Sequence, residues 1–111
     1  MSSNSTEMTW GFSGKPASRE HVLGCVGAGW HKLVHRLIDD LFSLGWDGRV
    51  YQIKEKFGGL RFYIGKGTDD IHTRIAQAEA ESYKTCEVCG EPGTERSPFG
   101  WIKILCDEHA K

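Results

Sequence analysis

The sequence predicts an α+β fold, ordered as helix, β-hairpin, helix and then a small C-terminal finger, on three observations. Apolar residues recur at helical spacing from Trp30 to Phe42. Two extended runs flank the pair Gly58-Gly59. Near the C-terminus, Cys86 and Cys89 form one pair of metal-binding residue types, and Cys106 and His109 form another with the same two-residue gap.

With 111 residues, the chain is long enough for one domain with a modest core. Its formal net charge of -1 excludes a global pull toward nucleic acid or anionic membrane, so either kind of binding would need a local patch. No apolar run approaches a membrane span, and the start, Met-Ser-Ser-Asn-Ser-Thr-Glu, lacks the charged and apolar regions of a secretory signal. Cys25 is the only cysteine outside the finger. Once the others bind metal it has no intramolecular partner, and a reducing cytoplasm is the expected location.

Residues 1–19 are serine-rich, with Gly11, Gly14 and Pro16, and show neither helical nor strand periodicity. They read as a flexible N-terminal arm whose aromatics, Trp10 and Phe12, anchor it to the body or dock on a partner. Residues 20–85 form the α-β-β-α body. Ser18 can cap a short helical turn through Leu23, which Gly24, Gly27 and Gly29 then break. The first full helix carries Trp30, Leu33, Val34, Leu37, Ile38, Leu41 and Phe42 on one face, and Gly45 is placed to end it. His31, His35 and Asp39 read as its polar border. They superficially resemble a zinc-protease helix, but Lys32 stands where that motif needs a glutamate.

The run from Arg49 to Ile64 reads as a hairpin turning at Gly58-Gly59. Counting outward pairs Phe57 with Leu60, Lys56 with Arg61, Glu55 with Phe62, Lys54 with Tyr63 and Ile53 with Ile64. Ile53, Phe57, Leu60, Phe62 and Ile64 then share an apolar face, and Glu55 falls among them as a buried acid in need of a partner. Lys54, Lys56, Arg61 and Tyr63 share the other face, a composition suited to phosphates and stacked bases or to an acidic protein surface. A plain solvated face, with lysines that discourage edge pairing, is the alternative. Thr68 or Asp69 can cap a second helix from about Asp70 to Tyr83, with Ile71, Ile75, Ala78 and Ser82 along one stripe.

Residues 86–111 form the finger. Two intervening residues let both members of a pair turn inward, and the long gap lets a hairpin join the pairs into a tetrahedron, so Cys86, Cys89, Cys106 and His109 are the expected ligands of one structural Zn2+. Gly90 allows a knuckle whose backbone amides face the thiolates. Cys106 in the first turn of a terminal helix would give a treble-clef-like arrangement, and a second knuckle would give a zinc ribbon instead. Four ligands close the site, where a catalytic zinc would keep one position open. The second helix leads directly into Cys86, so the finger is expected to dock on the body.

Lys-Glu-Lys-Phe-Gly-Gly-Leu-Arg-Phe-Tyr, then an alanine- and glutamate-rich helix, Cys-Glu-Val-Cys-Gly and Leu-Cys-Asp-Glu-His, resembles a group of small uncharacterised bacteriophage and bacterial proteins. The resemblance covers about residues 28–109. It implies a bacteriophage or bacterial genetic setting, with the host cytoplasm if the chain is phage-encoded, but no mechanism. Three functions are therefore compared. The first is a non-enzymatic interaction protein, a phage accessory factor binding a host or defence protein. The second is a nucleic-acid-binding module using Lys54, Lys56, Arg61 and Tyr63, with Lys103 from the finger. The third is an enzyme pairing Glu55 with His31 or His35, for which no nucleophile motif or phosphate loop is present.

Overall fold

The structure, a computed structural model, describes residues 7–97 and 100–110. Its elements are β1 (Met8–Trp10), β2 (Pro16–Ala17), α1 (Arg19–Leu23), α2 (His31–Ser43), β3 (Arg49–Lys56), β4 (Gly59–Ile64), α3 (Asp69–Ser82), β5 (Thr94–Arg96) and β6 (Lys103–Leu105), with a 3-10 turn at Ala28–Trp30 leading into α2. Helices and strands combine in an α+β fold, with a Cys3His cluster near the C-terminus.

The helical periodicity holds. Trp30, Leu33, Val34, Leu37, Ile38 and Leu41 are all buried, and Phe42 is half-buried. The helix ends in a Schellman arrangement, in which Gly45, at φ 93°, donates to the Phe42 carbonyl and Trp46 donates to that of Leu41. The Trp46 ring then packs on Phe42 with centroids 4.9 Å apart. Across from α2 the core takes Val50 and Ile53 from β3, Leu60 and Phe62 from β4, Ile71 and Ala78 from α3, and Ile104 from β6. Both caps also form: the Ser18 hydroxyl accepts from His21 N–H, and that of Thr68 from Ile71 N–H.

The arm expected over residues 1–19 is not free. β1 pairs parallel with β3, Thr9 beside Arg49 and Trp10 beside Val50, and antiparallel with β2, giving the strand order β2-β1-β3-β4. Met8 and Ala17 are buried, and Trp10 packs against the core, which the anchoring role expected of it requires. Phe12 is exposed and touches the body edge-on at Tyr51, centroids 4.9 Å apart. Strands of three and two residues are too short to show a period, and long-range pairing forms them. Residues 1–6 lie outside the described residues.

The hairpin turns one residue earlier than expected. Lys56 pairs with Gly59, Glu55 with Leu60, Lys54 with Arg61 and Ile53 with Phe62, so the turn residues are Phe57 and Gly58, at φ 54° and 81°. These angles are those of a type I′ turn. Gly59 is needed elsewhere: a Cβ there would meet the Tyr83 hydroxyl at 2.3 Å. The other strand residues keep their expected faces, while Phe57 leaves the apolar face and is 66% exposed. α3 covers the open edge of β4, where the Ser82 hydroxyl accepts from the buried Leu60 N–H at 2.9 Å.

Candidate metal centre

The first pair of ligands follows α3 directly. Gly90 donates to the Cys86 carbonyl at 2.9 Å and takes φ 83°, closing a turn over Glu87, Val88 and Cys89. The second pair follows β6, and His109 N–H closes its turn on the Cys106 carbonyl at 3.2 Å. Here the structure departs from the expected helix, because residues 107–109 form a turn. A spacing of three brings two side chains together in a turn as well as in a helix, so spacing alone did not distinguish them. The β5–β6 hairpin joins the two turns, and Arg96 of β5 fastens the second by donating to the Leu105 carbonyl and pairing with Asp107 at 2.7 Å.

The result brings all four expected ligands together, their donor atoms within 4.8 Å of one another, in a group that could hold a metal ion. Cys89 Sγ lies 3.6 Å from Cys106 Sγ, far beyond the roughly 2.05 Å of a disulfide. His109 Nδ1 lies 3.2 Å from Cys106 Sγ and 3.7 Å from Cys86 Sγ. Burial pushes the Cys86 thiol up, but backbone N–H groups of Cys106, Cys89 and Val88 outweigh it and bring the thiol down to about 6. The backbone N–H of His109 lowers Cys106 against its desolvation, and hydrogen bonding to the Cys106 and Cys86 sulfurs raises His109. Cys89 is raised, because desolvation and the neighbouring Cys106 and Cys86 sulfurs outweigh the Glu91 backbone N–H. The opposite shifts of neighbouring sulfurs follow from donor atoms crowded within hydrogen-bonding reach of one another.

Glu87, inside the first pair, was not expected to matter. Its N–H donates to the Ile104 carbonyl, its carbonyl accepts from Gly29 N–H, and its carboxylate pairs with Lys103 at 3.1 Å. It joins the metal turn, the finger strand and the start of α2. A residue between two ligands gives no sequence signal of this. Gly27 and Gly29, read as helix breakers, allow the contact: a Cβ at Gly29 would lie 2.0 Å from the Cys86 carbonyl oxygen, and one at Gly27 2.3 Å from that of Glu87. Trp30 Nε1 adds a hydrogen bond to the Thr85 carbonyl at 2.9 Å.

The other expected site residues stay apart from this cage. Glu55 is exposed, not buried, because the earlier turn sets it at the end of the strands, where its carboxylate accepts from Gly58 N–H at 2.7 Å. Lys56 and Tyr63 are exposed and Lys54 is half-buried. Arg61, directly opposite Lys54, bends to α3, where it pairs with Glu79 at 2.7 Å and reaches the Tyr83 hydroxyl at 3.2 Å. His35 Nδ1 faces Arg19, and His31 Nε2 lies 3.3 Å from the Val26 carbonyl. No helix among the described residues is long and apolar enough to cross a membrane. Comparison with protein-family models, curated proteins and solved structures gives no match to this chain.

Proposed function

We propose that the chain is a non-enzymatic protein-interaction module in which one structural Zn2+ fixes the finger on the body. The observation that carries this reading is the Cys3His cluster seated on the glycine backbone before α2. Thiolate and imidazole donors suit zinc, and a tetrahedron with Zn–S bonds of about 2.3 Å sets sulfurs about 3.8 Å apart, near the 3.6 Å between Cys89 and Cys106. Two turns flanking a hairpin favour the zinc-ribbon arrangement over the treble clef. With four protein donors converging, the metal serves as scaffold.

The nucleic-acid reading loses support because Arg61 is neutralised by Glu79, leaving a thinner basic face. The acid-base reading loses support because the Glu55 carboxylate closes a turn while His31 and His35 face other groups. In the phage setting the partner would be a host or defence protein. The test is affinity capture from the native host with zinc-loaded and chelated chain, with and without nuclease. A protein that survives nuclease and is lost on chelation is the expected result. Loss of all partners on nuclease treatment would transfer the function to nucleic-acid binding.

A further inference from the structure

A groove of about 730 Å3 runs between the hairpin tip and the loop entering β6, lined by Glu55, Lys56 and Phe57 on one side and Trp101, Ile102 and Lys103 on the other. Both aromatic walls face water, Phe57 at 66% and Trp101 at 72% exposure. Phe57 is also the one non-glycine residue with positive φ among those described, at 54°. A bulky side chain is strained in that conformation, and asparagine or glycine would fill the same turn position more comfortably. The ring does not join the core, and its close charged neighbour is Lys56 Nζ, 5.6 Å from the centroid. The turn thus holds, at conformational cost, an aromatic that adds nothing to the core. Such a combination points to a ring kept outward for recognition.

The charges around it indicate the occupant. Lys103 is held by Glu87 at 3.1 Å and the Glu55 carboxylate by Gly58 N–H, whereas Lys56 makes no ion pair among the described residues. The rim therefore mixes signs, with one cation left to meet an incoming carboxylate. A polyanion would set its repeating charge against Glu55, while a protein surface can match both signs. Exposed Trp and Phe beside a concave apolar floor are the residue types that dominate binding energy at protein interfaces. We propose that this groove docks a protein segment presenting a bulky apolar side chain beside a carboxylate. This rests on the interaction-module reading and places the contact surface at the groove, away from the sheet face of Lys54 and Tyr63.

The test uses the full zinc-loaded chain, panned against a phage-displayed library of random peptides, with the recovered peptides titrated onto wild type, Phe57→Asn, Trp101→Ala and Lys54→Gln. The expected consensus joins Leu, Ile, Met or Phe to a nearby Asp or Glu. Its affinity should fall about tenfold or more in Phe57→Asn and Trp101→Ala and stay unchanged in Lys54→Gln. The thermal midpoint of Phe57→Asn should be unchanged or raised, since Asn-Gly suits this turn, so its loss of binding cannot be misfolding. Peptides that bind both groove variants as tightly as wild type overturn the groove and leave the interaction-module reading standing. Failure to enrich any peptide also overturns the groove. If a short oligo-dT strand then binds with steep salt dependence, the interaction-module reading falls with it.

Discussion

At Gly29 the molecule tolerates no side chain, because an added Cβ would lie 2.0 Å from the Cys86 carbonyl oxygen and 2.6 Å from the carbonyl carbon of Glu87. Both obstacles are backbone, so the metal turn itself must move. Gly29→Ala is expected to destabilise the fold by about 1–3 kcal/mol, the usual range for overpacking, and to weaken zinc retention in a chelator competition. Ser82 offers a second single-residue test. Its hydroxyl is the acceptor for the buried Leu60 N–H, and Ser82→Ala would leave that donor unsatisfied, at a cost of about 1–3 kcal/mol by chemical denaturation. The sequence places Ser82 on the inward stripe of α3 but gives no sign of this bond, since the edge it closes lies twenty-two residues earlier.

Among the elements, legibility follows how local the deciding contact is. Thirteen-residue α2 repeats its apolar spacing over several turns, and its capping glycine sits where the chain must reverse, so the helix and its end are readable. The hairpin is readable as a hairpin, but Phe57-Gly58-Gly59 can turn at either pair of neighbours. The observed turn takes Phe57 and Gly58, and Gly59 serves a close approach instead, because a Cβ there would meet Tyr83 from another element. That one-residue difference moves Glu55 from an expected buried position to the turn. Glu55→Gln keeps an acceptor for Gly58 N–H and is expected to stay within about 0.5 kcal/mol of wild type, while Glu55→Leu removes it and should lose about 1 kcal/mol. Thermal melts of the two variants check the difference. β1 and β2 were illegible for another reason, since their existence depends on the neighbouring edge of β3.

For the whole molecule, the Cys3His cluster was the most legible feature, because paired spacing brings the four residues together without reference to the rest of the fold. What they were joined to was not legible: Ile104 of the finger belongs to the body's core, and Glu87 ties its turn to α2. If the cluster holds the proposed Zn2+, its removal should therefore unfold more than the finger. Structural sites of this type contribute on the order of 10 kcal/mol of apparent binding energy, comparable with the about 5–15 kcal/mol stability of a whole domain. A strong chelator, or Cys106→Ser, is expected to reduce helical circular dichroism from α2 and α3 as well as metal content. Acid should act in the same direction. The Cys86 thiol falls from an ordinary value of 9.0 to about 6 in the fold, so its contribution is full above the ordinary value, declines as pH falls and is lost below about 6. Proton competition for the ligands adds to that loss, and zinc release followed with a chromophoric chelator should rise through this interval. The seat of the cage on Gly27 and Gly29 gives metal supply a further role. Proteases act on opened chains, and a ligand that binds only the folded form withholds substrate from them. Persistence of this protein in a cell would then follow the local zinc supply, with a shortage shortening its half-life before any partner is engaged.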